Sequence, residues 1–290
     1  MTELPPEFQS LLAEIRPKLH RYCARMVGSV VDGEDIVQDA MIKAIDALPV
    51  VGAIDNPGGW LFRIAHNTAL DFLRRHAREP LIRPTEELDM LASDGTSDPG
   101  EEIAATSLRT FLRLPALQRS AVILKDVLGH SIEEMSSITG ATSAAMKSAL
   151  QRGRERLRQL AAETEDIDQP LSNELRVRLT AYVDGFITGD FDAVRRMLAD
   201  DVRLDLVGRL SSQGKAKVGQ YYGAYAAAAN RWAYATGVVE GRPAMLVFER
   251  QVDLETPAYF VALTFDGDRI TAIYDFLYAR YAFEGVSLSR

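Results

Sequence analysis

The sequence predicts a multidomain protein: an all-α N-terminal half in two modules, the second with a helix-turn-helix, followed by an α+β domain. Three observations predict it. Apolar residues recur at helical spacing from about Phe8 to Arg78, and again from roughly Ile103 to Ala162. Between these blocks, from Pro84 to Leu108, there is no Lys or Arg, while Glu86, Glu87, Asp89, Asp94, Asp98, Glu101 and Glu102 accumulate beside Gly95, Pro99 and Gly100. That composition is a solvated linker. Beyond Leu171 the pattern changes to a few helices and then to short strand-like runs.

The elements follow in order. Leu11, Leu12, Ile15, Leu19, Tyr22 and Met26 form one apolar face of a first helix, which Gly28 ends. A second helix is expected from Asp32, with Ile36, Val37, Ala40, Met41, Ala44, Ile45 and Leu48 inward and Asp35, Gln38, Asp39 and Lys43 outward. Pro49 to Gly59 reads as a loop. A third helix then buries Trp60, Leu61, Ile64, Ala65, Phe72 and Leu73 and shows Arg63, His66, Asn67, Asp71, Arg74 and Arg78 on its other side. The second acidic spacer, ETEDIDQP, precedes the last domain. There NELRVRLTAYVDGFITGD and FDAVRRMLADD read as helices and VRLDLVG as a strand. A helix near Lys215–Asn230 follows, then the strand-like runs WAYATGVV, AMLVFERQV, AYFVALTF and RITAIYDFLYARYAF. Asp266-Gly267 marks a hairpin between the last two, and the sheet is expected to be mostly antiparallel and curved.

The segment Ser131–Arg158 carries the chemistry. Ser131 and Glu134 have the spacing of a capping box, each satisfying a first-turn backbone N–H. Ile132, Met135 and Ile138 form one apolar face; Gly140 permits a tight turn; Thr142 or Ser143 caps the next helix, whose Met146, Leu150 and Leu157 face inward. Its outer face carries Lys147, Gln151, Arg152, Arg154, Arg156 and Arg158, with Glu155 the one acid. Such a helix places its N-terminus against base edges and its cations against phosphates.

Bulk properties narrow the class. The chain has 290 residues, 47% of them hydrophobic, enough for two or three domains with real cores. The single cysteine, Cys23, excludes an internal disulfide framework and fits a reducing compartment. No apolar run approaches the roughly 20 residues of a membrane span, and the N-terminus lacks the pattern of a signal peptide. A cytoplasmic protein is expected. The net charge of −8 opposes strong nonspecific DNA binding by the whole chain, but the cations gather locally at Arg74–Arg78 and Lys147–Arg158. No His, Cys or carboxylate cluster has metal-ligand spacing, and no glycine-rich phosphate loop occurs; no metal or cofactor is expected.

GEDIVQDAMIKA, then NPGGWLFRIAHNTALDFLRR, then LPALQRSAVILKDVLGHSIEEMSSITGATSAAMKSALQRGRERL resemble, in order and spacing, the two modules of the extracytoplasmic-function (ECF) sigma factors of bacterial RNA polymerase. The resemblance covers about Phe8 to Leu160. It implies that Asp35, Gln38 and Asp39 dock on core RNA polymerase. Arg63, Asn67, Arg74 and Arg75 would meet the −10 promoter element, and the loop Leu48 to Asn56 would capture an unstacked base. The second helix of the turn motif would read the −35 element through Ser143, Lys147, Ser148, Gln151, Arg152 and Arg154. Ala144, Ala145 and Ala149 leave few polar groups there, so duplex shape contributes to readout.

AYVDGFITGDFDAVRRMLADDVRLDLVGR resembles the SnoaL-like α+β domains, whose curved sheet wraps a pocket; fused to a sigma factor, such a domain implies regulation in cis. Tyr182, Asp205, Tyr222 and Tyr259 are candidate pocket residues, for a small-molecule ligand or an intramolecular contact, with Phe186, Tyr221 and Tyr274 as further aromatic candidates. A purely structural aromatic core is the favoured reading of the tyrosines. All four histidines (His20, His66, His76, His130) precede Leu171, leaving Asp205 and Asp275 as the carboxylates at inward strand positions; no catalysis is expected.

The domain boundaries expected from the sequence are 1–80 for the first sigma module, 81–102 for the acidic linker, 103–162 for the helix-turn-helix module, 163–170 for the spacer and 171–290 for the SnoaL-like domain. The competing functions are a conventional helix-turn-helix regulator and a pocket enzyme with a DNA-binding arm. A conventional regulator has no need of a first helical block with an Asp35/Asp39 face.

Overall fold

The computed structural model describes residues 6–52, 54–76, 106–161, 170–228, 230–283 and 286–289. The acidic linker, most of the second spacer and Arg78 lie outside the described residues. The chain divides into two compact units, 1–165 and 166–290, each with its own hydrophobic core.

In the first unit, α1 (Pro6–Val27) and α2 (Val30–Val51) are joined by a two-residue turn. Gly28 takes a positive φ of 74° there, and Ser29 caps α2 by accepting the Asp32 N–H. The helix therefore starts two residues before Asp32, because the cap is the serine. It also runs on through Pro49, which in the last turn removes one hydrogen bond without breaking the helix. The expected loop of Pro49 to Gly59 shrinks accordingly, since α3 (Pro57–His76) begins on its own proline, with Asn56 Oδ1 accepting the Gly59 N–H at 2.9 Å.

Beyond the linker come α4 (Leu108–Leu112) and α5 (Ala116–Val122), which passes into a π-helical turn, Ile123–Val127; α6 (Ile132–Thr139) and α7 (Ser143–Ala161) form the helix-turn-helix. A single apolar core runs through both helical modules. Leu19, Tyr22, Met26, Val37 and Leu61 are in the same cluster as Phe111, Val122, Met135, Met146 and Leu157. Helix α1 packs on α4 and α5, and α3 packs on α6.

The second unit has α8 (Asn173–Thr188) and α9 (Phe191–Arg196), then β1 (Leu198–Leu206), β2 (Leu210–Gln213), α10 (Lys215–Ala227), β3 (Trp232–Val239), β4 (Arg242–Glu249), β5 (Tyr259–Asp266), β6 (Arg269–Asp275) and the short β7 (Leu288–Ser289). The seven strands form one mixed sheet in the order β2-β1-β6-β5-β4-β3-β7. Every neighbouring pair is antiparallel except β1 and β6. Residues from α8, α9 and α10 join one face of the sheet in the core cluster.

Two elements differ from the sequence reading. The segment Leu198–Asp201 is strand, not helix, because Leu198 pairs with Ile270 in the parallel ladder. The run from Arg269 toward Phe283 stops being strand at Asp275. There the Asp275 Oδ1 accepts the Leu277 N–H at 2.8 Å, an Asx turn that redirects the chain into a short 3₁₀ helix, Arg280–Phe283. The Asp266-Gly267 hairpin is present, with Gly267 at φ 54° and Asp266 opposite Arg269.

Candidate nucleic-acid and polymerase interface

The turn motif is built as its local chemistry dictates. Ser131 and Glu134 form the reciprocal capping box, with Ser131 N–H donating to Glu134 Oε2 at 2.8 Å and Glu134 N–H to Ser131 Oγ at 3.2 Å. Those bonds hold the Glu134 carboxyl below its usual range. Gly140 turns the chain at φ 75°, and Thr142 Oγ1 accepts the Ala145 N–H, so threonine caps the recognition helix. Met146, Ala149, Leu150, Gly153 and Leu157 are buried; Ser143, Ala144, Lys147, Ser148, Gln151 and Arg152 are exposed. A Cβ on Gly153 would lie 2.7 Å from Val122 Cγ2, so a glycine is required where α7 crosses α5.

The arginines of α7 are not equivalent. Arg158 pairs with Glu155 at 2.8 Å, both groups half in solvent. Lys147 and Arg152 make no ion pair among the described residues. Arg154 has a further partner within the module: its Nε donates to Asp126 Oδ2 at 2.9 Å and its Nη2 to Asp126 Oδ1 at 2.5 Å. Asp126 comes from the π-helical turn, and its side chain is 3% exposed. This fork-on-carboxylate pair ties the recognition helix to the preceding turn, and the Arg154 guanidinium is directed at Asp126. Asp126 is thus a residue that sequence reasoning missed; its pairing crosses 28 positions.

On α3, Arg63, Asn67, Arg74 and Arg75 are all exposed. Arg63, Asn67 and Arg74 lie at helical intervals along one strip. Arg74 also pairs with Asp71 at 2.7 Å. His66 falls on the inner side: its Nδ1 meets the Tyr22 hydroxyl at 2.7 Å, and burial lowers its pKa to about 4. Trp60 is half-buried against the core, as its apolar position implied. On α2, Asp39 is exposed and Asp35 and Gln38 are half-buried, one face at i, i+3 and i+4. The adjoining Glu34 is buried and takes an ion pair from Arg16.

In the second unit Tyr182, Tyr222 and Tyr259 are brought together in the interior with Tyr221 and Tyr225. Asp275 belongs with them. Its Oδ2 accepts from the hydroxyls of Tyr221 and, at 2.7 Å, Tyr225, and Tyr259 donates on to Tyr225 at 3.0 Å. Burial raises the Asp275 pKa, and the tyrosine bonds oppose that rise. Asp205 is not in this group. It sits on the other face of β1 from Val202 and Leu204, paired with Arg203, which also lies over the Tyr274 ring. The period of two along β1 and β6 separates Asp205 and Tyr274 from the interior tyrosines. Tyr225, unnoticed in the sequence, shares the Tyr221 side of α10 at i+4.

Among the described residues, no group of three or more His, Cys, Asp or Glu could hold a metal ion, and no helix is long and apolar enough to cross a membrane.

Residues 11–79 match the family model Sigma-70 region 2, and residues 108–157 match Sigma-70, region 4. With a helix-turn-helix in the second and an acidic helical face in the first, these define a sigma-type transcription initiation factor. The chain is 33% identical over 153 residues to the ECF RNA polymerase sigma factor SigM of Mycobacterium tuberculosis, covering 53% of this chain and 76% of that one. It is 26% identical over 308 residues to SigG of the same organism, covering 93% and 81%. The crystal structure of M. tuberculosis SigJ matches at 22% identity with a TM-score of 0.36, covering 92% of this chain and 95% of that one. The chain belongs to the ECF sigma factor family. Its partners are core RNA polymerase and promoter DNA, and its function is promoter-specific initiation of transcription.

Proposed function

We propose that the Asp35/Gln38/Asp39 face docks on the polymerase core, that the Arg63–Arg75 strip meets the −10 element, and that Ser143, Lys147, Ser148, Gln151 and Arg152 read the −35 element. The observation that carries this is α7: capped at its N-terminus, anchored by buried Met146, Leu150 and Leu157, and exposing uncompensated Lys147 and Arg152. The sequence boundaries 1–80, 103–162 and 171–290 are proposed as the corresponding domains. The last is a SnoaL-like regulatory domain acting in cis in a cytoplasmic protein.

That domain is proposed to be non-catalytic. Asp275 is buried and held by three hydrogen bonds, from two phenols and from the Leu277 N–H, which is the environment of a structural carboxyl group. The test is transcription in vitro with purified core polymerase and a promoter selected from a random library, comparing the full chain with a truncation ending at Glu165. Core-dependent, promoter-specific transcripts are expected, and the difference between the two chains gives the sign of control. Asp35→Ala with Asp39→Ala should weaken core binding at unchanged fold; unchanged core affinity would remove the assignment of that face.

A further inference from the structure

Lys43 stands on α2 between two acids, with Asp39 four residues before it and Asp46 three after. Both spacings bring side chains within reach of each other on a helix surface. All three residues are exposed, and a merely solvated face would pair Lys43 with one of them. Neither pair forms among the described residues. The ammonium crosses instead to α3, where its Nζ donates to Thr68 Oγ1 at 3.1 Å.

Thr68 is suited to receive it. The residue is 2% exposed, and its hydroxyl donates to Ile64 O at 2.9 Å. With its one proton committed to that carbonyl, the oxygen has only lone pairs left to offer. It can hold a cation there, not a second acceptor. One N–H of the ammonium is spent on Thr68, and two remain for acceptors outside the fold.

This placement enlarges the cationic surface of α3. At about 100° per residue, Arg75 falls within ~20° of Thr68 around the helix, whereas Arg63, Asn67 and Arg74 lie ~100–140° from it on the same side. The exposed residues therefore form two rows. Asp71 falls between them and is paired with Arg74 at 2.7 Å, not with Lys43. The first row holds Asn67, whose amide can both donate to and accept from a base edge. The second row, Lys43 and Arg75, offers only charge and donors, which suits phosphate oxygens.

We propose that Lys43 is a backbone contact for the −10 strand, positioned by Thr68, and that the melted strand lies with its phosphates along Lys43 and Arg75 and its bases toward Asn67. The proposal rests on the assignment of α3 to the −10 element and deepens it. It also moves Lys43 from the polymerase face of α2 to the DNA-facing surface of α3.

The test uses holoenzyme, the full chain with core polymerase, and a fork whose single-stranded part carries a −10 sequence selected from a random library. Affinity is measured across a salt series, for that sequence and for one with its −10 bases exchanged, and core affinity is measured separately. Losing one phosphate contact on a single strand lowers the slope of log K against log salt by about 0.7, so Lys43→Gln should lose ~2.6-fold less affinity than wild type between about 50 and 200 mM salt. Its preference for the selected sequence and its affinity for core should stay at the wild-type level. Asn67→Ala should do the reverse, losing sequence preference at an unchanged slope. Thr68→Val, which keeps the shape and removes the acceptor, should weaken fork binding about threefold, and Thr68→Ser should restore it. In a Lys43→Gln background Thr68→Val should add nothing, because the group it positions is gone. A Lys43→Gln slope equal to wild type, or weakened core binding in its place, returns Lys43 to the polymerase face and overturns the proposal. A Thr68→Val loss that persists in full without Lys43 overturns the positioning role. If Arg63→Ala with Arg74→Ala also leaves fork affinity unchanged, the assignment of α3 to the −10 element falls as well.

Discussion

Arg152 and Arg154 are two residues apart on the recognition helix, and the structure gives them opposite work. Arg152 is exposed with no ion-pair partner among the described residues, whereas Arg154 is forked onto Asp126. Substituting each with alanine separates the roles. If Arg152 neutralises one phosphate, its loss should reduce the slope of log K against log salt by about 0.9, so that affinity falls ~3.5-fold less than wild type between about 50 and 200 mM salt. Arg154→Ala should leave that slope alone. It strands a carboxylate that is 3% exposed, and with the arginine itself at 31% the loss is about 2–4 kcal/mol of stability. That corresponds to a melting temperature lower by roughly 5–15 °C. Adding Asp126→Asn to Arg154→Ala removes the stranded charge and should recover part of that loss. Fluorescence anisotropy on a −35 duplex across a salt series, with thermal unfolding of the same samples, measures both quantities. An Arg154→Ala protein that melts like wild type and loses a full unit of slope would refute the division of labour.

Two further predictions concern buried ionisable groups. Burial lowers the pKa of His20 and of His66 to about 4, below the 6.5 of an exposed imidazole, so the unfolded chain takes up protons first as pH falls through 6.5. Their stabilisation is complete above that pH and is lost toward pH 4, by about 2 kcal/mol each at pH 5; urea midpoints that stay level from pH 7 to 5 would contradict it. Asp275 acts in the opposite sense, since its raised pKa makes the neutral form cheaper to bury and stability declines as pH rises through that pKa. Asp275→Ala should cost the second unit about 2–4 kcal/mol by orphaning two phenols and the Leu277 N–H, seen as a lower melting temperature of that unit with its secondary structure retained below the transition.

What the sequence disclosed follows from how far each interaction reaches along the chain. The capping box of Ser131 and Glu134, the Gly140 turn and the Thr142 cap are local, each within four residues, and their donors and acceptors meet by helix geometry alone. The inward face of α7 was legible for the same reason. Asp205 illustrates the failure of local reading: alternation along β1 places it opposite Val202 and Leu204, but which face is interior depends on the helices, and those pack from elsewhere. The end of β6 is a similar case, because Asp275 had an apolar run on both sides while its partners Tyr221 and Tyr225 lie 54 and 50 positions away.

The relation between the two helical modules was beyond any local signal. Met26 and Arg119 are 93 positions apart, with the acidic linker between them, and periodicity identifies an apolar face without naming what covers it. The first-module helices carry enough apolar surface on α1 and α3 to make a three-helix core by themselves, so the sequence was equally consistent with two independent domains on a tether. The structure resolves that ambiguity through chemistry that independent domains would not need. A guanidinium held almost out of solvent for the sake of a carbonyl on another module is costly to desolvate, and here burial draws its pKa down to about 10. Such a group is stable in place only while the seam is closed.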